Sequence, residues 1–321
     1  MSTLKHPATT EAADVFRHIA LLYRDDDEYA TVCAALVEEA LARGDPALVV
    51  LPGRGGDLIR ECLGPKAAGV SFKDMAVAGR NPGRIIPGVL LAFAAAHRGR
   101  HVWITGEPIW SGRSSVEYPA CVTHEALINA VFAGRRATIL CPYDVSRLEP
   151  AVVADAHRTH PLIQDGKGIR ASPAYADPLE TAAAFDLPLP APPRGAPTCV
   201  FRDVGELPRV RAFLAKQVET SGLRGHRATE LLIAVNELAT NTTEYTRGPG
   251  TLTVWAENGS LVCHLDDPGQ ITDPLAGRVP PPDGATHGRG LLVVNELADL
   301  VRVHRHASGT RFRLHFDLLT R

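Results

Sequence analysis

The sequence predicts an α/β protein in two parts, an N-terminal domain with a mainly parallel sheet and a C-terminal α+β sandwich. Three observations predict it. Short apolar runs alternate with helical patterns up to about residue 160, the order that lays helices over a parallel sheet. Beyond residue 198 the order changes to two helices followed by hairpins. Between them, residues 177–197 read DPLETAAAFDLPLPAPPRGAP. Pro188, Pro190, Pro192, Pro193 and Pro197 forbid a helix there and remove backbone donors from any sheet, so a semi-rigid linker is expected. The expected boundaries are 12–170 for the first domain, 171–196 for the linker and 197–321 for the second.

In the first part, His18–Tyr23 (HIALLY), Ala47–Leu51 (ALVVL), Val70–Phe72, His101–Thr105 (HVWIT) and Ala137–Cys141 (ATILC) read as buried strands. Glu28–Ala42, Ile86–His97, Val122–Phe132 and Ala151–His157 repeat apolar residues at three and four and read as helices. In the second part, a strand at Thr198–Phe201 precedes helices over Pro208–Glu219 and His226–Tyr245. Thr251–Ala256 and Ser260–Asp266 flank Asn258-Gly259, a strong hairpin signal. A Gly/Pro-rich loop, a helix over Leu291–Leu300 and a last hairpin (Val301–His306 with Arg311–Phe316) complete the pattern.

A chain of 321 residues is long enough for two domains with their own cores. The net charge of −2 lacks the basic surplus of nucleic-acid binders, so no direct DNA binding is expected. The longest apolar stretches, such as Ile85–Ala96, are too short to span a membrane, and Met1–Ala13 has no apolar signal core. Cys33, Cys62, Cys121, Cys141, Cys199 and Cys263 show no CxxC pair and no zinc-ligand spacing. Several sit inside apolar runs and read as small buried hydrophobes, and a reduced, cytoplasmic protein is the expectation.

Four short motifs carry chemistry. The helix ELLIAVNELATNTTEY (230–245) buries Leu231, Ala234, Val235 and Leu238, while Glu237 and Asn241 share another face one turn apart. An amide oxygen there can ligate Mg²⁺ and a carboxylate can polarise a hydroxyl or water, although a solvated helix face has the same pattern. Asp267-Pro268-Gly269 ends a strand. Its carboxylate can accept from an exocyclic amine such as that of adenine, and its dipeptides are also those of an ordinary turn. Gly288-Arg289-Gly290-Leu291 opens a helix, where free N–H groups and the helix dipole attract phosphates. Gly309-Thr310 sits at the final turn. The loop 270–286, with three consecutive prolines, can fold over a ligand as a lid.

In that order and spacing, the four motifs resemble the GHKL ATPase superfamily, with its Bergerat-type sandwich, over about residues 197–321. The segment LLVVNELAD (291–299) is similar to its anti-sigma-factor serine-kinase branch. The resemblance implies ATP and Mg²⁺ as cofactors, with Asn241 as the Mg²⁺ ligand and Glu237 as the catalytic base. It implies that Asp267, with Gly269, contacts adenine, that Gly288, Arg289, Gly290 and Leu291 hold the phosphates, and that Thr310 supports the site. It also implies two partners, a sigma factor and a STAS-type anti-anti-sigma factor whose serine is phosphorylated. One departure stands out: Gln270-Ile271 replaces the family's second glycine, which bears on tight ATP binding and fast turnover. No helical hairpin with a phospho-acceptor histidine precedes the domain, so histidine autophosphorylation is rejected, and His226 reads as a capping or surface residue.

In the first domain, Pro52-Gly53-Arg54-Gly55-Gly56-Asp57 follows a strand but lacks the Lys-Ser/Thr of a phosphate loop and reads as a tight turn. Glu107 and Asp144 follow predicted strands, where ligands of open parallel sheets collect. Together with Phe16–Tyr23, Glu117, Glu125, Asn129, Cys141–Asp144 and Thr159-His160-Pro161, these residues resemble the MEDS sensory domain, a RecA-like fold without its ATP loop. The resemblance covers about residues 15–164. It implies a small, hydrocarbon-like ligand, with His18, Glu107, Glu125 and Tyr143 as lining candidates; polar networks at sheet ends would use the same residues. The combined expectation is an anti-sigma regulator with a sensor domain. The alternative is a non-catalytic sigma-binding switch. Self-association into a homodimer is left open.

Overall fold

Seven strands form the first sheet in the order β3-β2-β4-β5-β1-β6-β7, in a computed structural model that describes residues 16–282, 284–285 and 287–318. Residues 12–15 and 319–321 of the expected domains, and Thr286 at the end of the expected lid, lie outside the described residues. The strands are β1 (Arg17–Tyr23), β2 (Ala47–Leu51), β3 (Ser71–Asp74), β4 (Val102–Gly106), β5 (Ala137–Asp144), β6 (Leu162–Asp165) and β7 (Gly168–Ala171). All pairings are parallel except β6 with β7. Every residue of β2 and β4 is buried, as expected of strands covered on both faces. Helices α1 (Asp26–Ala42), α2 (Gly55–Leu63), α3 (Tyr118–Phe132) and α4 (Pro150–Thr159) follow β1, β2, β4 and β5. Asp25 caps α1 by accepting from the Glu28 amide at 2.8 Å. Ile19, Leu21 and Tyr23 pack with Tyr29, Cys33 and Val37 of α1 in the core of one sheet face.

Residues 82–96, where one helix from Ile86 to His97 is expected, form Pro82–Arg84, a π-helical stretch Ile85–Leu91 and Ala92–Ala96. Pro87 has no N–H to donate and crowds the preceding turn, which accounts for the widened winding.

The second sheet has the order β11-β12-β10-β9-β8, all antiparallel: β8 (Thr198–Phe201), β9 (Gly250–Glu257), β10 (Ser260–Asp267), β11 (Leu300–His306) and β12 (Gly309–Asp317). Asn258 (φ 49°) and Gly259 (φ 79°) form the two-residue turn between β9 and β10. Helices α5 (Pro178–Ala184), α6 (Leu207–Ser221), α7 (Gly225–Tyr245) and α8 (Gly290–Leu297) complete this part. The apolar faces of α6, α7 and α8 share a core with Phe201, Leu252, Leu265, Phe312 and Phe316. Helix α8 ends at Leu297, three residues before the end its pattern suggests, because Leu300 is already paired with His315.

The stretch expected to be a linker begins as helix α5, capped by Asp177 and ending before the first of the prolines at Pro188. Asp186 then accepts from the Arg305 side chain at 2.7 Å and contacts His304 Nδ1 at 2.9 Å, and Arg313 donates to the Pro190 carbonyl. These residues are anchored to β11 and β12.

By compactness the chain divides into two units. One holds the chain up to Ala76 with Ala92–Ser111 and Ile128–Ala176; the other holds Val77–Leu91, Gly112–Leu127 and Asp177 onward. Within the second unit, Asn81 Nδ2 donates to the Asn295 carbonyl of α8 at 2.8 Å, Arg80 pairs with Asp299 at 3.0 Å and Arg84 pairs with Glu296. Among the described residues no helix is long and apolar enough to cross a membrane.

Candidate functional site

A cleft of about 600 Å³ opens in the second unit between the end of α7, the end of β10 and the start of α8, with Asn241, Asp267, Gly269, Gly290, Leu291 and Thr310 in its wall. Each wall residue is placed by a different constraint. The apolar stripe of α7 is sunk in the core, so Asn241 is turned to the cleft and Glu237 lies one turn back on the same side. A Cβ added at Gly290 would lie 2.9 Å from Glu237 Oε2 and 3.4 Å from Asn241 Nδ2. Only glycine lets the start of α8 come this close to the two polar side chains.

At the other end, Asp267 is held from both sides. Its Oδ2 accepts from the Thr242 hydroxyl at 2.8 Å and its Oδ1 from the Gly269 amide at 2.6 Å. Thr310, paired with Asp267 across β10 and β12, donates to the Gly269 carbonyl at 2.8 Å. Gly309 (φ 150°) lies against the Asp267 carbonyl, where any side chain would collide. The result is a carboxylate with fixed orientation at the mouth of a cleft whose far end is a helix N-terminus.

Gly288 is in the cleft wall with the prolines Pro280 and Pro281. Arg289 is not; its guanidinium turns back to the Ala285 carbonyl at 2.8 Å. Glu237 stands behind Gly290 and outside the wall. Gln270 Nε2 donates to the His306 carbonyl at 2.9 Å, so the side chain replacing the family's second glycine is tied to the last hairpin. Thr242, and Asn295, which holds the Gly277 carbonyl at 3.0 Å, were not singled out in the sequence. The signal for Thr242 was its place next to Asn241, and that for Asn295 its place in the segment LLVVNELAD.

Residues 202–316 match the family described as the histidine kinase-like ATPase domain, and residues 17–161 match MEDS, the methanogen/methylotroph, DcmR sensory domain. The chain joins a MEDS domain to a histidine kinase-like ATPase domain. A search of curated proteins finds no match. Segments 77–91 and 112–127 fall within the MEDS match but in the compact unit that contains the ATPase fold.

The sensory candidates of the MEDS domain do not share one environment. Side chains alternate across β1, so His18 lies on the face opposite Tyr23. Glu107, just after β4, accepts from Tyr29 at 3.2 Å and Tyr23 at 3.5 Å, and burial pushes its carboxyl up to about 8 despite those two hydrogen bonds. Tyr143 is paired with Leu22 and so shares the His18 face. Its ring meets that of His160 edge-on at 5.5 Å. Glu125 is fully buried on α3. Glu107 therefore belongs to a buried cluster with Tyr23 and Tyr29 on one side of the sheet, and His18 and Tyr143 to a polar cluster on the other.

Proposed function

We propose that the chain is an anti-sigma regulator whose ATPase domain binds ATP and Mg²⁺ and phosphorylates a serine of a STAS-type anti-anti-sigma partner, with a sigma factor as the protein it holds. A small molecule at the MEDS domain is the proposed input. The supporting observation is the approach of Gly290 to Glu237 and Asn241 at one end of a cleft that has a fixed Asp267 at the other. The volume suits a nucleotide, since ligand sites run to roughly 300–1,000 Å³, and the donor set is hard oxygen, as Mg²⁺ requires. Asn241 would hold the metal, which when bound draws charge from the phosphates. Asp267 would accept from the adenine amine, while the free N–H groups at the start of α8 face the phosphate end. Glu237 would take the proton from the incoming serine hydroxyl.

A second reading, a non-catalytic sigma-binding switch, is favoured by the position of Glu237 behind Gly290 and by Gln270 in place of glycine. One experiment separates the two. Incubation with labelled ATP and a STAS partner labels that partner under the first reading, and Glu237→Ala abolishes the label. Sigma binding that persists with no label on the partner supports the second.

A further inference from the structure

We infer that the MEDS domain contains a zinc site built on His18, Cys141 and His160. Strands β1 and β5 are neighbours, with Ala20 opposite Cys141, so His18 and Cys141 point to the same face two residues apart. His160 follows α4 at the entry to β6, the other neighbour of β1. The ligand atoms of the three lie within 4.8 Å of one another. Cys141 Sγ is 3.5 Å from His18 Nε2. Tetrahedral zinc with Zn–N of about 2.0–2.1 Å and Zn–S of about 2.3 Å requires an N···S separation of about 3.5 Å.

The outer hydrogen bonds orient both imidazoles. Asn129 Nδ2 donates to the Thr159 carbonyl at 2.7 Å, which turns its Oδ1 to His18 Nδ1 at 3.1 Å. That oxygen accepts, so His18 Nδ1 carries the proton and Nε2 presents a lone pair to Cys141. His160 Nδ1 lies 2.9 Å from the Ala156 carbonyl, another acceptor, so its Nε2 is likewise the basic nitrogen. An imidazole whose second nitrogen donates to a carbonyl or amide oxygen is the usual form of a metal-ligating histidine.

Burial and ligand type agree with this assignment. His18 and His160 have no exposed surface and Cys141 is 1% exposed. A thiolate and two neutral imidazoles are the ligand types that zinc takes from protein side chains. The N, N, S set suits Zn²⁺ rather than a hard cation. A nucleophilic Cys-His-Asn arrangement would need a path for substrate to Cys141 and would give His160 no part. In the sequence Cys141 reads as a small buried hydrophobe, because its partners lie 123 residues before it and 19 after it and show no ligand spacing.

The test is metal analysis of the purified full chain, followed by removal of metal with a chelator and titration with Co²⁺. One zinc per chain is expected. The Co²⁺ form should show the charge-transfer absorption of a thiolate bound to tetrahedral cobalt, which Cys141→Ser abolishes. Asn129→Leu, which leaves every ligand in place, should lower zinc affinity about 10–100-fold. A folded wild-type chain that takes up neither Zn²⁺ nor Co²⁺ at micromolar concentration overturns the inference. So does stoichiometric binding that survives both His18→Gln and Cys141→Ser in chains with native circular dichroism. The outcome is independent of nucleotide binding in the ATPase domain.

Discussion

The Thr242 hydroxyl reaches Asp267 Oδ2 at 2.8 Å, so the residue after Asn241 on α7 orients the carboxylate at the opposite end of the cleft. The two ends are therefore coupled through one helix. Replacing Thr242 by Val removes a hydrogen bond to a charged group, worth about 1.5–3 kcal/mol. Isothermal calorimetry with Mg-ATP should show a matching loss of affinity in a domain that still folds. Unchanged affinity would count against Asp267 as an adenine contact.

Gly290→Ala places a methyl 2.9 Å from Glu237 Oε2. The start of α8 must then move or Glu237 must turn away. The expected result is a stability loss of about 1–3 kcal/mol in urea unfolding, typical of overpacking, with a larger effect on nucleotide binding. A variant that binds Mg-ATP as tightly as wild type would show that the close approach has no part in the site.

Asn241→Ala and Glu237→Ala should separate. The first is expected to weaken Mg-ATP binding without unfolding the domain. The second should leave affinity within a few-fold and lower phosphoryl transfer by about 10²–10⁴-fold, the range for loss of a general base. Calorimetry and transfer of labelled phosphate measure the two effects independently.

Asn81 is fully buried and bridges segment 77–91 to α8 by donating to the Asn295 carbonyl at 2.8 Å. Its Oδ1 also accepts from the Gly83 amide at 3.0 Å. Asn81→Ala strands those buried groups, and unfolding should be easier by about 1–3 kcal/mol. Hydrogen exchange should show faster opening of α8, the helix whose start lines the cleft. Unaltered protection of α8 would sink this link.

Glu107 supplies a pH dependence. Unfolded, its carboxyl ionises near 4.5; folded, burial keeps it neutral up to about 8. Between those values the folded chain binds the extra proton, so this contribution to stability is complete below about pH 4.5 and is lost as pH rises through about 8. Glu107→Gln cannot ionise. The stability of wild type minus that of the variant, from urea midpoints at pH 5 and pH 8.5, should fall with rising pH; a flat difference would refute the raised carboxyl.

Much of the fold is legible because it rests on local pattern. Ala47–Leu51 and Thr198–Phe201 coincide with the expected strands, and Asn258-Gly259 sits at its hairpin turn, since continuous apolar runs and left-handed turn residues are local signals. The hairpin β6–β7 was not expected; LIQD and GIRA mix polar and apolar residues, are mostly not buried and hold no continuous apolar run. Helix α5 was hidden because the prolines after it dominate the composition of that stretch.

The sequence by itself determined the two-domain order and brought Glu237, Asn241, Asp267, Gly290 and Thr310 to notice, because helix periodicity, strand ends and glycine placement are encoded within a few residues. Only the tertiary structure decided which of them meet. It put Arg289 outside the cleft wall, set Glu237 behind Gly290 and set Glu107 on the face opposite His18. It also brought His18, Cys141 and His160 together. Those relations depend on strand register and helix packing, with His18 and Cys141 standing 123 positions apart, and no local pattern records that.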